Sequence, residues 1–307
     1  MPHRAAETEI IMTDILKRGT SVDGSVRVFA AVTTELSGEA QKIHSTLPTA
    51  SAALGRTLTG AVLMSAAGLK NDTDSITIQI KGDGPIGSVI ACCNAALEAK
   101  GYVTNPYVDL PLNKKGKLDV GGAVGCGTLS VVRDLGLKEP YIGQVPLVSG
   151  EIAEDITMYY AKSEQIPTAT GLGVLVDTDG SIKASGGFLV QMMPGSTDET
   201  AKKIEENLNK IKPVTTMIDE GMTAEDIIFE VTAGIDFLVN NKEEHPKYKC
   251  GCSRERMEKA LISIGKKELE DIINEQGSAE MTCQFCNNKY NFTKNELCTL
   301  LEKASEK

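Results

Sequence analysis

The sequence predicts an α+β protein in three parts: a β-rich N-terminal core domain, a helical linker and a small C-terminal zinc-binding domain. Short runs bounded by Gly or Pro, several alternating apolar and polar residues, recur through residues 12–195, a strand-free acidic stretch occupies 196–244, and five of eight cysteines crowd the last 58 positions. At 307 residues the chain exceeds what one core usually supports, so division into domains is expected. A content of 41% hydrophobic and 24% charged residues excludes a wholly disordered, collagenous or coiled-coil protein.

Residues 1–11 carry His3 and Arg4 but no apolar core of a secretory signal, and they read as an extension preceding the fold. No apolar run approaches the roughly 18 residues of a membrane span, so a cytoplasmic protein without membrane contact is expected.

In the core domain, a first strand begins after Met12 and a β-rich run covers Val26 to Leu36. Ser75 to Lys81 alternates with period two, and Ser88 to Cys92, Leu129 to Val132, Tyr141 to Val148, Thr170 to Val176 and Gly187 to Met193 are further short strands. Their connections are too short for crossover helices, which predicts mostly antiparallel pairing. A helix starts near Pro48 with Leu54, Leu58, Ala61 and Met64 on one face and closes at Gly68, and another spans Glu151 to Gln165.

Past Pro194-Gly195 the pattern turns helical: Asp198 to Ile211, Val214 to Glu220 and Thr223 to Ala233, with Ile228 and Phe229 on the apolar side of the third helix. Residues 196–244 hold twelve acidic side chains against five lysines. Such self-repelling helices must lean on another surface, so this linker is expected to dock on the core and to be marginally stable.

Several motifs have ordinary readings. Gly82-Asp83-Gly84-Pro85-Ile86-Gly87 has the letters of a dinucleotide fingerprint, but Pro85 and the strand after it predict a hairpin loop instead. His44 has no nucleophile elbow to serve and reads as a locally hydrogen-bonded histidine. Cys92 and Cys93 point to opposite faces of one strand, and Cys126 reads as a packed small hydrophobe.

The tail, residues 245–307, carries chemistry. Cys250-Gly251-Cys252 and Cys283-Gln284-Phe285-Cys286 supply four soft sulfur ligands in two close pairs, a set suited to tetrahedral Zn²⁺. Four sulfurs close the coordination shell and leave no place for catalytic water. On spacing alone the set reads either as a structural zinc knuckle or as a redox sensor, because zinc keeps cysteines as the thiolates that oxidants attack. Between the pairs, Arg254 to Leu261 and Lys266 to Asn274 read as helices, and Lys289 to Phe292 as a strand.

Tyr248-Lys249-Cys250-Gly251-Cys252-Ser253 with Arg256, and Cys283-Gln284-Phe285-Cys286 followed by Tyr290 and Phe292, resemble the zinc signature of the heat-shock protein 33 family of redox-regulated holdase chaperones. The likeness extends from Met12, through Arg18-Gly19-Thr20 and Ala184-Ser185-Gly186-Gly187, to Met193-Pro194. It implies a cytoplasmic stress-response chaperone without enzymatic turnover, a homodimer at least when active, whose partners are unfolded or partly folded client proteins. It further implies that Cys250, Cys252, Cys283 and Cys286 hold one Zn²⁺ in the idle reduced state. Oxidation would turn them into disulfides, expected between the near neighbours Cys250 and Cys252 and between Cys283 and Cys286, with zinc release and linker unfolding. The Cys283–Cys286 hook, with little local support, is expected to oxidise first.

Two other readings follow from the tail. A thiol oxidoreductase would use Cys283 and Cys286 as a C-x-x-C redox pair, but that pair should open a helix beside a βαβ unit. A zinc-ribbon nucleic-acid binder needs a basic face, whereas residues 245–307 hold eleven basic and ten acidic side chains and the whole chain carries −10.

Overall fold

The computed structural model describes residues 13–305, so the expected extension over 1–11 lies outside the described residues. The chain divides into a unit ending at Tyr248 and a unit from Lys249 onward.

The first unit runs β1 (Ile15–Ser21), β2 (Val26–Val32), α1 (Thr34–His44), α2 (Pro48–Gly68), β3 (Ser75–Gly82), β4 (Ser88–Asn94), β5 (Glu98–Val103), α3 (Val120–Val124), β6 (Gly127–Asp134) and β7 (Tyr141–Pro146). It continues with α4 (Ala153–Tyr159), extended by a π-turn over Tyr160–Glu164, then β8 (Thr168–Val176), β9 (Ile182–Met192), α5 (Asp198–Leu208), α6 (Val214–Asp219), α7 (Ala224–Val231), β10 (Phe237–Val239) and β11 (Lys247–Tyr248). One sheet has the order β10-β1-β2-β9-β8 and the other β11-β5-β4-β3-β6-β7. Every pairing is antiparallel except that of β11 with β5.

The sequence placed one apolar face on α2, but α2 is buried nearly all round, from Thr49 to Ala66. Its small residues explain this. A side chain at Gly55 would meet Ser37 and Val174, and one at Gly60 would meet Ile156, so the two glycines let α1, α4 and β8 close in on the helix. The main core gathers Leu54, Leu58, Leu63 and Met64 with Ile76, Ile78 and Ile80 of β3 and Leu129 and Val131 of β6.

A second apolar cluster lies on the other face of the first sheet. Val26, Val28, Ala30 and Val32 of β2 alternate onto it, joined by Phe188 and Val190 of β9. Ile204, Met217, Ile218, Ile227, Ile228 and Val231 from α5, α6 and α7 cover it. Thr223 caps α7, accepting from the Asp226 N–H while the Asp226 carboxylate accepts from the Thr223 N–H. Ile228 is fully buried, but Phe229 is 48% exposed, which corrects its placement on the apolar side of that helix.

Three further expectations change. The Val26 to Leu36 run stops at Val32 and becomes α1, whose N-terminal Glu35 and Leu36 N–H groups donate to the buried Asp14 carboxylate at 2.9 and 2.7 Å. Stretch 196–244 contains a strand after all: β10 pairs with β1 in the register Gly19↔Val239, Thr20↔Leu238 and Ser21↔Phe237. Three residues are too short for period two to show in sequence, and the partner lies more than 200 positions away. Finally, Lys247 and Tyr248 pair with Glu98 and Ala99 of β5. The Gly82–Gly87 segment is the expected hairpin loop between β3 and β4, closed by the Gly82 N–H on the Gly87 carbonyl.

The second unit comprises α8 (Arg254–Ser263), α9 (Lys266–Glu275), β12 (Ser278–Thr282), β13 (Lys289–Thr293) and α10 (Lys294–Ser305). Leu261, Leu269, Ile273, Phe292, Leu297 and Leu300 form its core. That is six buried apolar side chains for some 60 residues, a size at which a single core supplies little stability.

Candidate metal centre

Each thiol pair sits where backbone turns hold it. Cys283 and Cys286 occupy the loop joining β12 to β13, where the Cys283 N–H donates to the Asn288 carbonyl at 2.9 Å and the Asn287 N–H to the Cys283 carbonyl at 2.8 Å. Asn287 adopts φ +57, a left-handed conformation that Asn tolerates and that curls the loop back on Cys283. Cys250 and Cys252 lie just before α8, whose N-cap Ser253 accepts from the Arg256 N–H.

The four Sγ atoms lie within 4.8 Å of one another. Cys250 and Cys283 are 3.7 Å apart, and Cys252 and Cys286 3.4 Å. Tetrahedral bonds of about 2.3 Å separate sulfurs by roughly 3.8 Å, so the donor set fits one ion. Among the described residues this is the one group of three or more His, Cys, Asp or Glu side chains arranged to hold a metal ion. The sequence expected pairs between near neighbours; the short distances run across, joining one residue of each pair, while the 4.8 Å envelope keeps all pairings within reach.

The surroundings bias the thiols unequally. Burial pushes the Cys252 thiol up, but hydrogen bonds from the Tyr290 hydroxyl and the neighbouring thiols outweigh it and bring the group down to about 7. Burial pushes Cys286 up to about 12 and raises Cys250. Tyr290, whose hydroxyl is 3.1 Å from the Cys252 sulfur, is pushed up to about 12 by that bond. The sequence named Tyr290 only as a marker of the motif; its position four residues past Cys286, in a strand pairing back on β12, is the signal that could have placed it at the sulfurs.

Arg254 ties the elements around the site together. Its guanidinium lies 4.4 Å from the Phe292 ring centroid, donates to the Asn291 carbonyl at 3.1 Å and pairs with Glu296 at 2.5 Å, linking α8, β13 and α10. Cys283 is buried while its three companions are half-buried, so the hook is better supported than the sequence indicated.

The other cysteines lie apart from this cluster. Cys93 is buried and Cys92 half-buried on β4, as their opposite faces require, and Cys298 packs against the core of the second unit. Cys126 is exposed, which corrects its reading as a packed hydrophobe: the loop is shaped by backbone bonds, with the Cys126 N–H on the Asp83 carboxylate at 2.7 Å, and leaves the side chain outside. His44 ends α1, and its Nε2 lies 3.3 Å from the Tyr248 hydroxyl. No helix among the described residues is long and apolar enough to cross a membrane.

A family model described as Hsp33 protein matches residues 14–293. The chain is 50% identical over 294 residues to the 33 kDa chaperonin of Clostridium beijerinckii, covering 95% of this chain and 100% of that protein. It is 50% identical over 285 residues to the 33 kDa chaperonin of Bacillus subtilis, covering 92% and 97%. The crystal structure of the 33 kDa chaperonin, a heat shock protein 33 homolog, from Thermotoga maritima superposes with a TM-score of 0.86 at 41% identity, over 96% of this chain and 99% of the other.

Proposed function

The chain belongs to the Hsp33 family of chaperones, and from that premise we propose that it is a redox-regulated holdase held idle by a zinc-bound thiol cluster. The observation that carries the reading is the convergence of Cys250, Cys252, Cys283 and Cys286 in a small unit whose own core is six residues. Zn²⁺ bound by these four sulfurs would supply folding energy to that unit, about 10–16 kcal/mol in zinc-finger peptides.

Each step is chemically ordinary. Hydrogen peroxide accepts two electrons from a pair of thiols, forming one S–S bond and two waters, so two equivalents convert four thiols to two disulfides. Disulfide sulfurs are poor ligands, and a unit with so slight a core then loses order. Under mild heating the marginally stable acidic helices α5 to α7 then undock, and the cluster of Val26, Val28, Ala30, Val32, Phe188 and Val190 becomes available to the exposed apolar segments of unfolding clients. Clients are captured without turnover, by a protein of the cytoplasm that is a homodimer at least when active.

The test measures bound zinc and far-ultraviolet helicity before and after peroxide with mild heating. Loss of one zinc per chain together with helix supports the reading; retained metal and unchanged helicity leave a purely structural knuckle.

A further inference from the structure

One segment closes an edge of each sheet in the first unit. Strand β10 is the outermost strand of one sheet, on β1, and β11 the outermost strand of the other, on β5. Between them the Leu16 N–H donates to the Glu244 carbonyl at 2.7 Å, and the Lys247 N–H donates to the Leu97 carbonyl at 3.1 Å. Residues 236–248 therefore form a strap whose removal leaves β1 an open edge.

The β1 edge is specific in shape and charge. The Asn240 N–H donates to the Arg18 carbonyl and the Val22 N–H to the Asp236 carbonyl, so the even-numbered residues of this stretch turn their backbone groups toward the strap. Gly19 leaves a notch filled by the Phe237 ring, with which any Cβ at that position would collide. Val239 packs against the second apolar cluster, and beyond it Glu244 pairs with Arg18 at 2.6 Å and Glu243 with Lys17 at 3.8 Å. Departure of the strap removes both carboxylates and leaves Lys17 and Arg18 beside a row of unpaired N–H and C=O groups.

We propose that the β1 edge is a client-binding site, which takes up an extended segment of an unfolding polypeptide as a replacement strand. The preferred segment repeats the strap's own pattern: an aromatic side chain for the Gly19 notch, an apolar one two residues on, and acidic residues after that. Aromatic and apolar side chains are what a protein exposes as it unfolds, and the strap shows that the edge accepts them in a defined register. This deepens the holdase reading and rests on it for the event that frees the strap.

The experiment opens the edge by two routes in the full-length protein. One is oxidation with mild heat. The other is Leu238→Pro under reducing conditions, which removes the N–H opposite Thr20 without touching a thiol. The probes are a synthetic peptide of strap residues 235–246, its Phe237→Ala version, and a thermally unfolding protein. Amide hydrogen exchange is followed at Leu16, Thr20 and Val22.

Both routes are expected to unprotect these amides, and both the peptide and the unfolding protein to protect them again. The Phe237→Ala peptide should bind about tenfold more weakly, for loss of the half-buried ring that fills the Gly19 notch. Introducing Thr20→Pro should abolish peptide binding, whereas Thr20→Val, which keeps the N–H, should retain it. Amides that stay unprotected with the unfolding protein bound, equal binding by the two Thr20 variants, reprotection on raising protein concentration alone, or an edge that neither route opens would each overturn the proposal. If Leu238→Pro behaves as described while oxidised protein keeps its strap, the redox reading fails and the edge site stands.

Discussion

The Tyr290 hydroxyl lies 3.1 Å from the Cys252 sulfur, so the β12–β13 hairpin supplies both two thiols and the hydrogen bond that stabilises a third thiolate. Loss of an outer-shell hydrogen-bond partner of a metal ligand commonly costs about 10- to 100-fold in affinity. Tyr290→Phe should therefore lose metal to a competing chelator at a concentration about tenfold lower than the unaltered protein, with the fold intact before chelation. Identical chelator midpoints would show that the hydroxyl is not coupled to the ligands.

Metal stoichiometry separates ligands from bystanders. Cys298→Ser should keep one zinc per chain, because Cys298 lies outside the four-thiol group and packs against Leu-rich core. Cys283→Ser should lower it. Equal loss from both variants would remove the assignment.

Asp14 gives a pH dependence with a definite sign. Burial raises its carboxyl from 3.8 to about 7 against the lowering effect of the Leu36 and Glu35 N–H groups. A folded-state pKa above the unfolded value means that the folded form binds the proton more tightly. The stabilisation is fully present below about 3.8 and is lost as pH rises toward 7. Denaturant midpoints of the reduced protein measured from pH 4 to 8 should show this downward component, and Asp14→Asn, which still accepts a hydrogen bond, should remove it.

Much of this molecule was legible in its sequence, for reasons that particular residues show. Strand β3 alternates apolar and polar residues with period two, β4 is a short apolar run, and Gly82 to Gly87 between them has turn chemistry, so both strands were visible locally. The four thiols were visible because each pair is close in sequence, and the spacing within a pair needs no long-range information about the fold. By contrast, α2 hid its burial on all sides because Ala, Gly, Ser and Thr line it, and small residues carry little apolar periodicity. Strand β10 and the strap were invisible because they exist only through β1 and β5, which lie far away in sequence. The exposure of Phe229 was missed because Ile227, Ile228 and Phe229 are adjacent and one turn can bury only part of the run.

Peroxide at low temperature should oxidise thiols of the cluster while the first unit keeps α5 to α7 docked, since Ile204, Met217, Ile218, Ile227, Ile228 and Val231 remain buried there without any contribution from metal. Holdase activity should stay weak until mild heating releases them. Full activity at low temperature with unchanged helicity would contradict this two-step account.

Aggregation of a thermally unfolding protein, followed by light scattering in the presence of reduced Ile228→Asp, tests most directly whether linker release is the switch. Ile228 is fully buried under the first sheet's outer face, and a carboxylate there costs several kcal/mol, enough to undock α7. Phe229→Asp at the exposed neighbouring position is the matched control. The account predicts that reduced Ile228→Asp suppresses aggregation with its zinc still bound, while reduced Phe229→Asp remains as idle as the unaltered protein. An Ile228→Asp variant that has demonstrably lost linker helicity yet stays idle under reducing conditions would contradict it and show that release of α5 to α7 is not the switch.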